Sequence, residues 1–264
     1  RLSQLFLEGP ARLLPTIHLI TDIASDPSLT DLPMPVPTLK RQLEITQLVR
    51  ELLDRVDDLA PRSAVFDLAN SLAALMDEMQ GEGIEPKALK NLDISDVSGH
   101  WERALLFVNI VQGYFEGGAI PDTETRQRAC VLALAEGWKA SPPNHPIIMA
   151  GSTGSRGTTF QLMLAIAGLP QGAIVLPGFD FDMPSNVWDK LSDPNTGEDH
   201  PQFRFSRLLN SLGMKAKQVV PWAGDAMTSS ARNKLISLAM RPAPATHHWH
   251  CLLYTSPSPR DLTA

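Results

Sequence analysis

The sequence predicts an α/β protein with a large helical insertion between its α/β segments. Residues 146–177 contain an apolar run, a glycine-rich turn, a helical stretch and a second apolar run. This is the order of a βαβ unit, and it implies a parallel sheet. Between residues 38 and 140, apolar side chains instead recur at helical spacing. A connection with Pro33, Pro35 and Pro37 precedes them, and its prolines favour extended backbone.

These changes in pattern divide the chain into four segments. Residues 1–37 contain a helix end, a short β-like run at residues 16–20 and the proline-rich linker, residues 38–140 a helical subdomain, and residues 141–249 the returning α/β segment. Residues 250–264 resemble one reading frame of a sequencing adapter, the alternative being a natural Ser/Pro-rich tail. Because the chain also lacks a starting Met, we expect it to be part of a longer protein.

The helical segment predicts four helices. Thr38 is a plausible N-cap for the first, which should reach Leu59, and Asp122 for the fourth. Gly81 or Gly83 should end the second, and glycines 117 and 118 the third. We interpret the apolar stripes of the last three helices as core rather than cofactor contacts. The stripes are Val65, Leu68, Ala69, Leu72, Leu75, Met76 and Met79; Trp101, Leu105, Val108, Val111 and Phe115; and Ala129, Leu132, Ala133, Ala135 and Trp138.

The α/β segment predicts two buried parallel strands, Pro146–Ala150 and Gly172–Pro177, joined by a helix over Thr158–Gly168. Two further helices, over residues 201–212 and 227–240, should flank a short strand at residues 218–220.

Bulk properties exclude several classes. The apolar runs are too short to span a bilayer, so we expect no membrane association. Two cysteines, Cys130 and Cys251, argue against a disulfide framework, favour a reducing cytoplasm and cannot alone hold an iron–sulfur cluster. The net charge of −6 gives no general attraction to DNA, so any contact with DNA should be local.

The glycine-rich turn between the first strand and its helix is the principal candidate site. A turn in this position can present backbone N–H groups to an anion, assisted by the helix dipole. It lacks the Lys and the glycine spacing of a Walker A loop, and it lacks the dinucleotide fingerprint. Two interpretations stay open: a tight turn capped by Thr158 or Thr159, or a weak phosphate or DNA contact. The candidate residues are Gly151, Ser152, Thr153, Gly154, Ser155 and Arg156.

Asp180 and Asp182 follow the second strand, where ligands and Mg²⁺ often bind in parallel sheets. Turn capping is the alternative, and we favour it. The histidines show no metal-ligand spacing, and Cys130 lies mid-helix without an activating partner. We therefore assign no catalytic residue and no metal ligand.

Several motifs, each weak alone, extend over residues 1–249. They are Ala150-Gly-Ser-Thr-Gly-Ser155, Leu169-Pro-Gln-Gly-Ala-Ile-Val-Leu-Pro-Gly-Phe-Asp180, Trp188, His200-Pro-Gln202, Leu75-Met-Asp-Glu-Met-Gln-Gly-Glu-Gly83, Leu13-Leu-Pro-Thr-Ile17 and Ala239-Met-Arg-Pro-Ala-Pro-Ala-Thr246. Taken together, these motifs resemble the AddB family of alphaproteobacterial type.

The resemblance implies a subunit of a bacterial ATP-dependent helicase–nuclease that processes DNA double-strand breaks, with an AddA subunit and DNA as partners. This chain would be its helicase-like part, with a degenerate superfamily 1 (P-loop NTPase-like) parallel sheet. Mg²⁺ and an iron–sulfur cluster would belong to a C-terminal nuclease domain, so no cofactor is expected here. Active helicases of this superfamily end the matching strand in Asp-Glu, whereas Ala150–Ser155 contains no acid. The resemblance therefore implies a scaffold without motor chemistry.

Two other hypotheses remain. One is a phosphate-handling α/β enzyme that uses residues 151–157 with Asp180 and Asp182, against which the missing loop Lys counts. The other is a helical interaction module built on residues 38–140.

Overall fold

The computed structural model describes residues 15–25, 29, 31–56, 59–85, 88, 106, 107, 109, 110, 113, 114, 121–222, 231–242, 245 and 246. The chain divides into two units, residues 1–134 and 135–264. The predicted third apolar stripe, the helix end near residue 5, His100 and the sequence from residue 247 onward lie outside the described residues.

The first unit is helical. After a 3₁₀ turn at Ile20–Ser25 come helix α1 (Thr38–Arg55), a 3₁₀ turn at Arg62–Ala64 and helix α2 (Val65–Glu82). Helix α3 (Thr123–Ala140) begins in this unit and contains the boundary between the two. Helix α2 ends at Gly83, whose φ of 72° suits a residue without a side chain. The predicted end at Gly81 or Gly83 is thereby confirmed at Gly83.

Helices α1 and α2 form the core of this unit. On α1 the buried apolar positions are Ile45, Val49 and Leu53, spaced four residues apart. The partner face on α2 contains most of the predicted stripe: Val65, Ala69, Leu72, Met76 and Met79 are buried. Leu75 is 38% exposed, so its predicted burial was wrong. The partly buried Phe107, Ile110 and Tyr114 pack against the same core.

Helix α3 is capped as predicted, because Asp122 Oδ1 accepts the backbone N–H of Thr125 at 2.8 Å. Its predicted buried face was wrong. Leu132 is 46% exposed and Ala133 is also exposed, whereas Arg126, Cys130 and Val131 are buried. The apolar stripe of α3 therefore does not mark the face that packs.

The second unit contains the predicted βαβ motif. Strand β1 (Ile147–Ala150) is followed by helix α4 (Gly157–Ala167) and strand β2 (Gly172–Val175). The strands pair in parallel, with Ile147 opposite Gly172 and Ala150 opposite Val175. Among the described residues the sheet has these two strands. Met149 is buried but Ile148 is 55% exposed, so β1 is not the fully buried strand that its apolar run predicted.

Short helices follow the sheet: α5 (Ser185–Lys190), α6 (Pro194–Gly197), α7 (Phe203–Ser211), a 3₁₀ turn at Ala216–Gln218, and α8 (Ala231–Ala239). Helices α5 and α7 contribute to a second core, whose buried members are Phe179, Met183, Val187, Trp188, Leu191, Phe205, Leu209 and Ala245. The ring of Trp188 stacks on Phe179, with centroids 4.7 Å apart.

Two predicted strands do not form. Residues 16–19 have no regular structure, and a 3₁₀ turn begins at Ile20. The predicted strand at residues 218–220 is replaced by the 3₁₀ turn Ala216–Gln218, in which Lys215 N–H donates to Gln218 Oε1 at 2.6 Å. Helix α1 ends at Arg55 rather than Leu59. Within the described residues, no helix has the length and apolar character needed to cross a membrane.

Candidate functional site

The glycine-rich turn leaves the carboxyl end of β1. Its first residue is held to the sheet, because Gly151 N–H donates to the Val175 carbonyl at 3.1 Å. Gly151 and Gly154 have φ values of 81° and 68°, a left-handed conformation that favours glycine. A Cβ on Gly154 would lie 2.9 Å from Met163 Sδ and 3.6 Å from Phe160 Cδ2. The turn therefore needs glycine at 154 for both backbone conformation and space.

Inside the turn, Ser152 acts as a local cap. Its Oγ accepts the Gly154 N–H at 3.2 Å. Thr153 and Ser155 are exposed. Ser152 thus has a structural contact, whereas Thr153 and Ser155 face solvent.

Helix α4 begins at Gly157 with Arg156 as its N-cap residue, and no side chain caps it. The predicted capping by Thr158 or Thr159 was therefore wrong, and Thr158 is instead buried at 3% exposure. Arg156 is exposed at this helix end. The helix dipole gives that end partial positive charge, so it favours an anion.

Sequence reasoning missed a second cation, Arg207. Its guanidinium carbon lies 4.8 Å from the centroid of the Phe160 ring, the ring against which Gly154 packs. Helix α7 thereby brings an exposed Arg to the same side chain as the glycine-rich turn. The sequence signal was weak, because no local spacing relates position 207 to position 154.

Asp180 and Asp182 lie in the loop after β2. Asp180 Oδ1 accepts the Asp182 N–H at 2.9 Å, an Asx-type turn. The Asp180 N–H donates to Gln202 Oε1 at 3.1 Å, and Gln202 Nε2 donates to the Gly178 carbonyl at 2.9 Å. These contacts match the turn-capping interpretation. Since β1 and β2 are parallel, this loop and the glycine-rich turn leave the same end of the sheet.

His200 is hydrogen-bonded to Gln202, the residue that contacts this loop. Its Nδ1 accepts the Gln202 N–H at 3.1 Å. Burial lowers the pKa of His200 from its ordinary value of 6.5, and the Met240 backbone and the Asp180 carboxylate act in the opposite direction. The sequence offered His200 only as part of a family motif.

The remaining candidates do not assemble into a site. Cys130 is fully buried, and its Sγ accepts a hydrogen bond from Arg126 Nη1 at 3.6 Å. His18 and His145 are exposed. Across the part of the chain that the structure describes, no three His, Cys, Asp or Glu side chains are placed to hold a metal ion.

A cleft of about 520 Å³ lies beside α7. Its wall mixes hydroxyl, amide and charged groups, and two of the lining residues are hydrogen-bonded, Asn210 Nδ2 donating to Ser192 Oγ at 2.9 Å. The lining residues are Ser192, Glu198, Phe203, Arg207, Asn210 and Ser211. Arg207 thus borders both the cleft and the ring that supports the glycine-rich turn.

Comparison with known proteins identifies no relative: no family model, no curated protein and no solved structure matches the chain. An assignment of function therefore depends on the motifs and the geometry described above.

Proposed function

We propose that this chain is the helicase-like part of an AddB-type subunit, a non-catalytic scaffold that guides DNA within a cytoplasmic ATP-dependent helicase–nuclease. The proposal starts from the motifs that resemble the AddB family. The contacts of the second unit support its non-catalytic aspect.

The observation that carries the proposal is the turn between β1 and α4. Phosphoryl transfer in helicase motors needs Mg²⁺ held by acids and a water positioned beside the phosphates. Here the first strand of the βαβ unit runs into Ala150-Gly-Ser-Thr-Gly-Ser155, which has neither acid nor Lys. At this position the chain has only a glycine-rich turn that leads into the N-terminus of helix α4.

The loop acids do not substitute for the missing groups. The carboxylate of Asp180 caps its own turn, and Gln202 holds the backbone on either side of Phe179. An acid committed to an Asx turn is less available as a metal ligand. This favours the scaffold over a phosphate-handling enzyme.

DNA contact would be local. Arg156 at the start of α4 and Arg207 over Phe160 are exposed cations on the βαβ motif and the helix that packs on it. An overall charge of −6 opposes phosphate binding, so two cations would position DNA rather than bind it tightly.

The test uses the longer subunit that contains this chain, assembled with its AddA-type partner. Arg156→Ala and Arg207→Ala should weaken DNA binding similarly across sequences, and each should reduce the slope of log affinity against log salt by about one. Lys217→Ala, an exposed cation on the 3₁₀ turn, is the matched control and should change nothing.

Failure to assemble with an AddA-type subunit would contradict the family assignment. Normal assembly with an unchanged salt slope in both Arg variants would contradict only the assigned DNA contacts.

A further inference from the structure

Two hydrogen bonds connect Gln202 to the loop after β2, and a third joins Gln202 to His200. Gln202 uses its side-chain oxygen and nitrogen to hold the Asp180 N–H and the Gly178 carbonyl. Its backbone N–H donates to His200 Nδ1. Gln202 is 9% exposed, and the three hydrogen bonds are partly buried. One imidazole nitrogen therefore supports the residue that holds the loop.

This geometry specifies a protonation state. Because Nδ1 accepts a hydrogen bond, the neutral ring has its proton on Nε2. Nε2 is buried, and the backbone of Met240 interacts with the ring. A second proton would have to go on Nδ1, where it would face the N–H of Gln202. The charged ring is thus incompatible with the present contact.

We propose that neutral His200 is a pH-sensitive latch, which holds the loop Gly178–Asp182 through Gln202 and releases it when Nδ1 is protonated. The described groups that act on the ring are the Asp180 carboxylate and the Met240 backbone. Both favour the charged form, but burial opposes it more strongly and the pKa of His200 is lowered.

The sign of the pH dependence follows from that direction. The pKa of His200 is below 6.5 in the folded protein. As the pH falls, the unfolded chain therefore binds a proton at this histidine before the folded protein does. Its contribution to stability is complete above about pH 6.5 and is lost as the pH falls from there to the lowered pKa. The latch should accordingly be closed at pH 8 and should open below pH 6.5, as the pH falls through the lowered pKa of His200.

The first test needs no variant. Nitrogen-15 NMR of the wild-type imidazole at pH 8 should show an unprotonated Nδ1 and a protonated Nε2 on His200. The opposite tautomer, or a ring already charged at pH 8, would overturn the proposal.

The second test compares amide hydrogen exchange at Asp180 in the wild type and two variants. In the wild type, the protection factor should fall about two- to tenfold as the pH is lowered from 8 through the pKa of His200, the change expected for loss of one hydrogen bond. His200→Asn places an oxygen near the position of Nδ1 but does not titrate, so protection should persist without that fall. His145→Asn removes an exposed histidine and should behave as the wild type. A fall in His200→Asn equal to that of the wild type would exclude His200 as the group that titrates.

Discussion

The two units bury polar groups in different ways. In the helical unit, charged side chains lie inside: Arg41 and Asp122 are 8% and 4% exposed and approach to 3.2 Å, and Arg41 also pairs with Asp77 at 2.6 Å. In the described part of the α/β unit, the buried polar side chains are neutral and include Gln202, Thr158 and Ser206. The buried charge of Arg41 thus joins helices α1 and α2 in the first unit through Asp77, whereas in the second unit the neutral Gln202 holds the loop after β2.

The largest expected effect would come from the buried ion pair. Asp122→Ala removes both a partner of Arg41 and the cap of α3, so unfolding free energy should fall by about 3–5 kcal/mol. Urea unfolding followed by circular dichroism measures it. Asp77→Ala is the control, because its carboxylate is 44% exposed and should cost less than half as much. Equal losses in the two variants would remove the distinction between buried and surface partners.

Apolar packing in the same unit gives the next effect. Met76 is fully buried between α1 and α2, and Met76→Ala should cost about 2–5 kcal/mol. Its neighbour Leu75 is 38% exposed, so Leu75→Ala should cost far less. The same unfolding assay separates them, and a reversed order would show that the face of α2 is misassigned.

In the α/β unit, glycine geometry should have a smaller effect. In Gly178→Ala the new methyl group has no neighbour within 4 Å, so the variant has only the strain of a φ of 66°. We expect this strain to lower the free energy of unfolding by about 1–2 kcal/mol. Gly154→Ala adds a clash with the fully buried Met163, so we expect it to destabilise the protein more than Gly178→Ala does. Thermal unfolding of the pair measures the difference. Equal melting temperatures would mean that Met163 moves aside without cost.

The smallest effect is electrostatic and appears at high pH. Burial and the hydrogen bond to Glu44 at 3.0 Å raise the pKa of Tyr114 to about 12. Its stabilising contribution should be complete below about pH 10 and decline as the pH rises from there toward 12. Ultraviolet titration should show one tyrosine ionising late in the wild type and none in Tyr114→Phe. A late ionisation that persists in Tyr114→Phe would assign it to another residue.

Sequence periodicity predicted the secondary-structure elements better than it predicted which face of each helix is buried. The βαβ order, helix α2 with its Gly83 end, and the Asp122 cap follow from local chemistry that the chain encodes over a few residues. The face of α3 does not, because it packs through Arg126 and Cys130 rather than through its leucine and alanine stripe. Arg126 Nη2 donates to the Ala24 carbonyl, 102 positions away, and such a partner is invisible to local patterns.

The candidate site shows the same limit. The glycine turn and the Asx turn at Asp180 were predictable, since each depends on neighbours within a few positions. Arg207, His200 and Gln202 reach the two loops only through the tertiary fold. The predicted strand at residues 218–220 failed because Lys215 and Gln218 close a tighter local turn.

The central claim is that the α/β unit lacks motor chemistry, and ATP hydrolysis tests it most directly. Turnover by the purified chain would be measured with Mg²⁺ and single-stranded DNA, beside Asp180→Asn and Asp182→Asn. A cooperative unfolding transition in each sample provides the proof of folding. In samples that pass this folding test, we expect no turnover above background. Wild-type turnover that disappears in either variant would contradict the scaffold and assign catalysis to the loop after β2.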